Sequence, residues 1–185
     1  AVLSSLRNEG IFTPPSLRGT LAVPSNIGGA HWGGVAVDRA NALAIVPVNR
    51  LAAEVQLIPD SAFDAAEARA AASRTGDQYT RMRGTGYVMR RRILLGASGL
   101  PCTPPPFGAL VAVSLDDGGI RWSVPLGTMS LPNRPPAPAE WGSPNLGGAI
   151  ATAGGLAFIG ASIDRAIRAF DTSTGRELWR ADLAA

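Results

Sequence analysis

Two eleven-residue stretches, AVSLDDGGIRW (Ala112–Trp122) and AFDTSTGRELW (Ala169–Trp179), align without a gap at an offset of 57 residues. Each reads Ala, an apolar residue, Ser or Asp, three residues, Gly, three residues, Trp. The Ala and its apolar neighbour end a strand. Asp171 can then accept backbone N–H bonds within the turn, as Asp and Asn commonly do, and Ser114 supplies a weaker, neutral acceptor in the first copy. Gly118 and Gly175 take a turn conformation that other residues adopt poorly. Trp122 and Trp179 open the next strand, with rings large enough to pack between adjacent sheets. A second echo sets WGGVAVDRANALAIV (Trp32–Val46) beside LGGAIATAGGLAFI (Leu146–Ile159), offset by 114 residues, twice 57 within one indel. A period of this length, with about four short strands per unit, predicts propeller blades carrying loop insertions.

The rest of the chain keeps that rhythm. GTLAVPS, GGVAVD, ALAIVPV, GALVAVSL, RWSVPLG and RAIRAFD are short strand-like runs that end in Gly, Pro, Asn or Asp. ATAGGLAFIGA reads as a hairpin turning at Ala-Gly-Gly. One segment departs from the pattern: DSAFDAAEARAAASR (Asp60–Arg74) has high helix propensity, with Asp60 or Ser61 as candidate N-cap and Arg69 and Arg74 toward the C-terminal end. Its polar, alanine-rich character predicts a surface helix with little core burial, in an insertion spanning about residues 60–84. LPNRPPAPAEW (131–141), with four prolines, predicts a stiff extended connection.

Twenty-two glycines and fifteen prolines in 185 residues favour turns and short strands over a helix bundle. The net charge is only +3, and all 17 basic residues are arginine, so the high pI implies no strong field. The one basic cluster, Arg90-Arg91-Arg92 with Arg81 and Arg83 nearby, lacks an aromatic ladder or helix-turn-helix spacing. It reads as a solvated loop, and no nucleic-acid partner is expected. Cys102 is the only cysteine, so it forms no internal disulfide or zinc cluster and reads as a small buried apolar group. No apolar run is long enough to span a membrane, and the first residues do not read as a signal peptide. The two ends, AVLSSLRNEG and WRADLAA, read as cut from something larger.

SNIGGAHWGG (Ser25–Gly34) concentrates four glycines, the only histidine and a tryptophan. It is a poor phosphate cradle, because a strand pattern rather than a helix follows it. No Gly-x-Ser-x-Gly elbow pairs with His31, and no second histidine or carboxylate stands at ligand spacing. A glycine-rich loop at the end of an inner strand, where backbone can approach a planar ligand, is the remaining reading. WGSPNLGGA (Trp141–Ala149) echoes it one double period later.

The Ala-x-Asp-x-x-x-Gly-x-x-x-Trp pattern of AFDTSTGRELW resembles the docking motif of the quinoprotein dehydrogenases that use pyrroloquinoline quinone (PQQ). RGTLAVPSNIGGAHWGGVAVD, NRLAAEVQLIP, GLPCTPPPFGALVAVSLDDGGIRWSVPLGT and the stretch from GSPNLGG to GRELW are similar to the membrane-bound glucose and quinate dehydrogenase branch. The resemblance implies an all-β protein: an eight-bladed β-propeller with PQQ flat near its axis. Residues 1–185 would form a later part of it, about three blades with the one helical insertion.

The resemblance further implies oxidation of a sugar or polyol. An aspartate base on other blades takes the alcohol proton, and hydride passes to PQQ polarised by Ca²⁺ or Mg²⁺. Electrons then go to ubiquinone. The metal ligands, the base and a PQQ-contacting lysine would lie outside this chain, on the remaining propeller blades. A periplasmic location with an inner-membrane tether elsewhere in the protein is implied as well.

Within this chain the resemblance points to His31, Trp32, Asn49, Asn145 and Leu146 as cofactor-side residues; metal ligands are expected from none of them. His31 stands where relatives carry Asn or Glu. Trp32 is open to either cofactor contact or core packing, and WGSPNLGGA to either a pocket role or a structural turn. The position matching the relatives' PQQ-contacting Asn is Pro47, which has no N–H to donate, while Asn49 faces the same side of an extended strand two residues on. Two other readings stand beside the enzyme: a non-catalytic propeller scaffold of the outer-membrane assembly type, and an inactive truncated paralogue suggested by Pro47.

Overall fold

In a computed structural model of the chain, which describes residues 2–130 and 137–184, almost every regular element is a short strand. In chain order they are helix α1 (Val2–Ser5), β1 (Thr20–Ala22), β2 (Ala36–Asp38), β3 (Leu43–Asn49), β4 (Ala53–Pro59), helix α2 (Ala65–Thr75), β5 (Gln78–Arg81), β6 (Tyr87–Ile93), β7 (Gly108–Ser114), β8 (Ile120–Pro125), β9 (Ala149–Ala151), β10 (Leu156–Ile159), β11 (Ala166–Asp171) and β12 (Glu177–Asp182). They form three four-stranded antiparallel sheets, ordered β1-β4-β6-β5, β2-β3-β7-β8 and β9-β10-β11-β12. The first belongs to one compact unit (Ala1–Ile27 with Leu51–Cys102), and the other two to a second (Gly28–Arg50 with Thr103–Ala185). The extended connection predicted over 131–141 falls largely on residues 131–136, outside the described residues.

In the second unit the two sheets repeat each other, as propeller blades do. Both turns that follow the repeated alanine have the same ladder. Ala112 pairs with Trp122 and Ala169 with Trp179, and a β-bulge follows each alanine. Gly118 N–H donates to Ser114 O at 3.0 Å and Gly175 N–H to Asp171 O at 2.9 Å, with both glycines at positive φ (74° and 72°). Asp171 Oδ1 accepts from the N–H groups of Ser173 and Thr174 at 2.9 Å each, whereas Ser114 Oγ accepts from Asp116 N–H at 3.3 Å, the weaker acceptor expected of a serine. The predicted hairpin is β9–β10, turning at Thr152–Gly155.

The 114-residue echo has a different origin from the one its arithmetic suggests. β2 and β9 head neighbouring sheets, not sheets two periods apart. The chain leaves the β2-β3-β7-β8 sheet after β3, builds β4, α2, β5 and β6, and returns at β7. That excursion doubles the offset for the strands before it and leaves 57 for those after it.

One turn ties the two repeated sheets together. The Trp122 ring covers Gly175, where an added Cβ would stand 2.6 Å from the ring, and Trp122 Nε1–H donates to Thr172 O at 2.8 Å. Thr172 is fully buried; its hydroxyl donates to Asp38 Oδ2 at 2.5 Å and its N–H to Gly155 O at 2.9 Å. Beneath this lies a core of Leu43, Ile45, Leu110, Leu126, Ile159 and Phe170, closely spaced by Ala36, Ala112 and Ala157. A second tie runs from Thr128, whose N–H and hydroxyl donate to Asp164 Oδ2 at 3.0 and 3.1 Å. Asp164 also pairs with Arg168, which is only 2% exposed. Burial alone would raise the Asp164 carboxyl, but Arg168, Ser162 and Thr128 together hold it well below the usual carboxylate range.

In the first unit α2 is the predicted surface helix, with Ala68 its one buried residue. Its N-cap is Asp64, not Asp60 or Ser61: Asp64 Oδ1 accepts from Ala66 N–H (2.7 Å) and Glu67 N–H (2.9 Å), while Asp60–Ala62 is a separate 3₁₀ turn. Arg90, Arg91 and Arg92 correct a further expectation. They lie on β6, not in a solvated loop, and Arg90 and Arg92 reach buried Glu54 at 2.5 and 2.6 Å. Strand alternation puts both on one face opposite Glu54, and a buried carboxylate needs such partners. Cys102 is exposed rather than buried.

Replacing Trp122 by Ala in the full-length protein is expected to cost about 3–5 kcal/mol. Trp122→Phe, which keeps a ring but leaves Thr172 O unpaired, should cost about 1–3 kcal/mol. Urea unfolding reads both, and an unchanged Trp122→Ala midpoint would contradict the interlock. The Thr172 hydroxyl, followed by the Asn41 amide, holds the Asp38 carboxyl below its ordinary value. Its contribution is therefore complete above the unfolded carboxylate value of about 3.9 and is lost as pH falls through the lower folded value. Unfolding free energy measured against pH should decline below about pH 4, with a shallower decline in Asp38→Asn.

Candidate functional site

The two glycine-rich loops meet in the second unit, one entering β2 and the other entering β9. Gly33 and Gly148 are in backbone contact: a Cβ on Gly148 would lie 2.0 Å from Gly33 O, and one on Gly33 would lie 2.8 Å from Gly147 C. Any side chain at either position would push the loops apart. Gly108, at the start of β7, makes a similar approach, because its Cβ would lie 1.8 Å from Ser143 O.

Asn49 and Asn145 lock this contact from below. Asn49 Nδ2–H donates to Asn145 O and Asn145 N–H donates to Asn49 Oδ1, each at 2.9 Å. The amide side chain thus pairs with the Asn145 backbone much as a neighbouring strand residue would. Asn145 Nδ2–H donates to Val48 O at 3.2 Å, and Asn49 N–H donates to Gly29 O at 2.9 Å. Both asparagines are buried, at 2% and 0% exposure. Asn49 therefore clamps the loops and is not open to a ligand in this chain.

His31 joins the clamp. Its Nδ1 accepts from Gly33 N–H at 3.0 Å, so the proton of the neutral ring sits on Nε2, which donates to Asn145 Oδ1 at 3.2 Å. With both ring nitrogens engaged, His31 is a half-buried orienting group and not a free base. The equivalent positions Trp32 and Leu146 project outward instead, 88% and 53% exposed. Of the two readings open for Trp32, core packing is not the one adopted in this chain. Nothing lies within 4 Å of the Cβ position of Gly34, which leaves backbone uncovered beside Trp32.

Pro47 costs the sheet nothing. Asn49 N–H points toward Gly29, so the Pro47 nitrogen two residues earlier faces the same side, and β2 starts only at Ala36, opposite Ile45, so its ladder does not reach Pro47. Pro47 is fully buried in register with Leu110.

The loops 28–34 and 141–148 carry no ionisable side chain except His31. They present a neutral surface: an aromatic ring, an aliphatic side chain, and backbone held in place by a buried polar network. Such a surface suits the face and edge of a flat group and supplies no acid–base chemistry. Among the described residues, no three His, Cys, Asp or Glu side chains converge as metal ligands do. Sequence reasoning brought out all five loop and strand residues, but missed Ser143, Gly108 and Thr172. Their roles rest on contacts across sheets, and a lone Ser, Gly or Thr carries no motif.

Comparisons with known proteins agree with this architecture. Residues 1–185 match the PQQ family described as "Glucose/ethanol/alcohol dehydrogenase, beta-propeller domain". The chain is 37% identical over 186 residues to a probable quinate dehydrogenase (quinone) of Xanthomonas campestris pv. juglandis, covering 96% of this chain and 23% of that protein. It is 38% identical over 183 residues to quinoprotein glucose dehydrogenase A of Acinetobacter calcoaceticus, covering 97% of this chain and 23% of the relative. A solved quinohemoprotein alcohol dehydrogenase from Pseudomonas putida HK5 superimposes with a TM-score of 0.50 at 19% identity, over 89% of this chain and 20% of that one, a likeness of fold. The chain thus spans about a quarter of the length of the curated relatives it matches. A repeated Ala-Gly-Trp turn, two four-stranded sheets in series and a match along the whole chain place this protein in the PQQ-dependent quinoprotein dehydrogenase family, as part of its β-propeller.

Proposed function

We propose that the protein carrying this chain oxidises a sugar or polyol of the glucose or quinate type with PQQ as cofactor, and passes the electrons to ubiquinone. The observation that carries this reading is the paired glycine loop, in which a buried His31–Asn145–Asn49 network fixes two equivalent outward residues, Trp32 and Leu146, beside uncovered backbone. The relatives named as quinate and glucose dehydrogenases support the substrate class. A divalent ion, Ca²⁺ or Mg²⁺, would be held by residues of other blades. A periplasmic site tethered to the inner membrane fits this electron acceptor.

The residues present fit one flank of a planar quinone. Trp32 and Leu146 offer apolar contact to a ring face. The glycine backbone allows close approach without a Cβ in the way. When bound, PQQ supplies the two-electron acceptor for the hydride of the alcohol carbon. This chain's residues do the positioning: Asn49 fixes the backbone of Asn145, Asn145 holds the His31 tautomer, and the His31 ring sets the loop from which Trp32 projects. Because His31 has no free nitrogen, proton removal from the alcohol is assigned to a group on another blade.

Full-length protein reconstituted with PQQ and Ca²⁺ or Mg²⁺ should reduce a dye with an aldose or with quinate. Trp32→Ala should weaken PQQ binding about tenfold, the loss expected for one aromatic contact, measured by titrating apoprotein with PQQ. Failure to bind PQQ, together with no turnover of any polyol, would overturn this reading.

A further inference from the structure

His31 is the only histidine of the chain, and its ring bonds to both glycine loops, to Gly33 in one and Asn145 in the other. Histidine is the side chain whose ordinary titration falls between pH 5 and 8. The geometry around this ring decides what a second proton on it does. Nδ1 accepts from Gly33 N–H at 3.0 Å, and Nε2 donates to Asn145 Oδ1 at 3.2 Å. The ring lies close over Gly33, where an added Cβ would stand 2.6 Å from His31 Cε1. A proton on Nδ1 faces the Gly33 N–H, donor against donor, and that bond is lost.

Neither partner can rearrange to keep it. Asn145 Nδ2–H donates to Val48 O at 3.2 Å, so turning the amide over would set Oδ1 against a carbonyl oxygen. The Asn145 backbone is held on both sides by the Asn49 amide. Turning the His31 ring over exchanges Nδ1 with Cδ2 and takes the acceptor away from Gly33 as well.

No counter-charge waits for a protonated ring. Loops 28–34 and 141–148 and strand β3 carry no other ionisable side chain. The charged residues that border them, Arg50 after Asn49 and Glu140 before Trp141, are both exposed. On β2 the carboxylate of Asp38 is engaged by Thr172 and Asn41. Ser162, which bridges to Asn145, leads to Asp164, whose carboxylate is taken up by Ser162, Thr128 and Arg168. Among the described residues, no carboxylate forms an ion pair with His31.

We propose that His31 makes the contact between the glycine loops a proton-sensitive latch, closed while the ring is neutral and loosened when Nδ1 takes up a proton. Trp32 stands between His31 and Gly33, so it loses its fixed direction when the latch opens, and the outward surface it shares with Leu146 loses definition in acid. Closure is complete in neutral and alkaline solution and weakens as the pH falls. The consequence for cofactor binding rests on the function proposed above; the loosening of the loop does not.

Hydrogen exchange of the full-length protein without added PQQ, resolved to single amides over residues 28–34, tests the latch independently of that function. It is measured at about pH 5 and about pH 8, either side of the ordinary imidazole value of about 6.5. After correction for intrinsic exchange rates, protection of Gly33 N–H should fall at least about fivefold at the lower pH, while β7 (Gly108–Ser114) keeps its own. His31→Asn offers Oδ1 to the same N–H and takes up no proton, so its Gly33 should be equally protected at both pH values. Should that variant not fold, His31→Gln, which is also uncharged, takes its place. Equal Gly33 protection at both pH values in the unmodified protein would overturn the inference. So would an acid loss that extends to β7, or the same acid loss in the uncharged variant.

Discussion

Thr172 is the point on which the second unit depends. Its carbonyl takes the indole N–H of Trp122 and its hydroxyl reaches Asp38, while the Trp122 ring closes over Gly175. Three elements of two sheets therefore converge on one turn: the start of β8, the end of β2, and the β11–β12 connection. Each partner is specified locally. Gly175 is needed both for its positive φ and for the ring above it. The repeated Ala sits cross-strand from the repeated Trp, where a small residue fits. A sheet with one polar edge and one apolar face becomes part of a larger array through such a turn, because the tryptophan supplies buried area and the hydrogen bond supplies register.

That register carries through to the loops. Once the side chains of β3 and β10 share one core, Asn49 at the end of β3 comes level with Asn145, and the two glycine loops are brought into backbone contact. The contact has no room for side chains at Gly33, Gly148 or Gly108. Two residues with equivalent positions, Trp32 and Leu146, are left projecting outward from a rigid base. Precision at the surface is inherited from the buried amide pair, which explains how a segment with no regular structure can present a defined face.

Much of this was legible in the residues. The eleven-residue repeat specified its own turn chemistry, down to the weaker acceptor at Ser114, and it identified the sheets that follow one another. The loops announced themselves by glycine content and by echoing each other. The spacing of the 114-residue echo misled, because an excursion of the chain between β3 and β7 has the length of one period and doubles the offset. Arg90-Arg91-Arg92 misled for another reason. A run of charge reads as solvated until the buried Glu54 opposite it is known, and β-pairing partners separated by a helix are not visible in sequence. The Asn49–Asn145 pair spans 96 residues and follows no motif, so its clamp role emerged only from the fold.

The central claim is that the paired loops form one wall of the PQQ site. A crystal structure of the full-length protein with PQQ bound tests it most directly. The account predicts the quinone within van der Waals contact of Trp32 or Leu146, with the His31–Asn145–Asn49 hydrogen bonds intact beneath. A quinone bound away from both loops, or seated on them with that network broken, would contradict it.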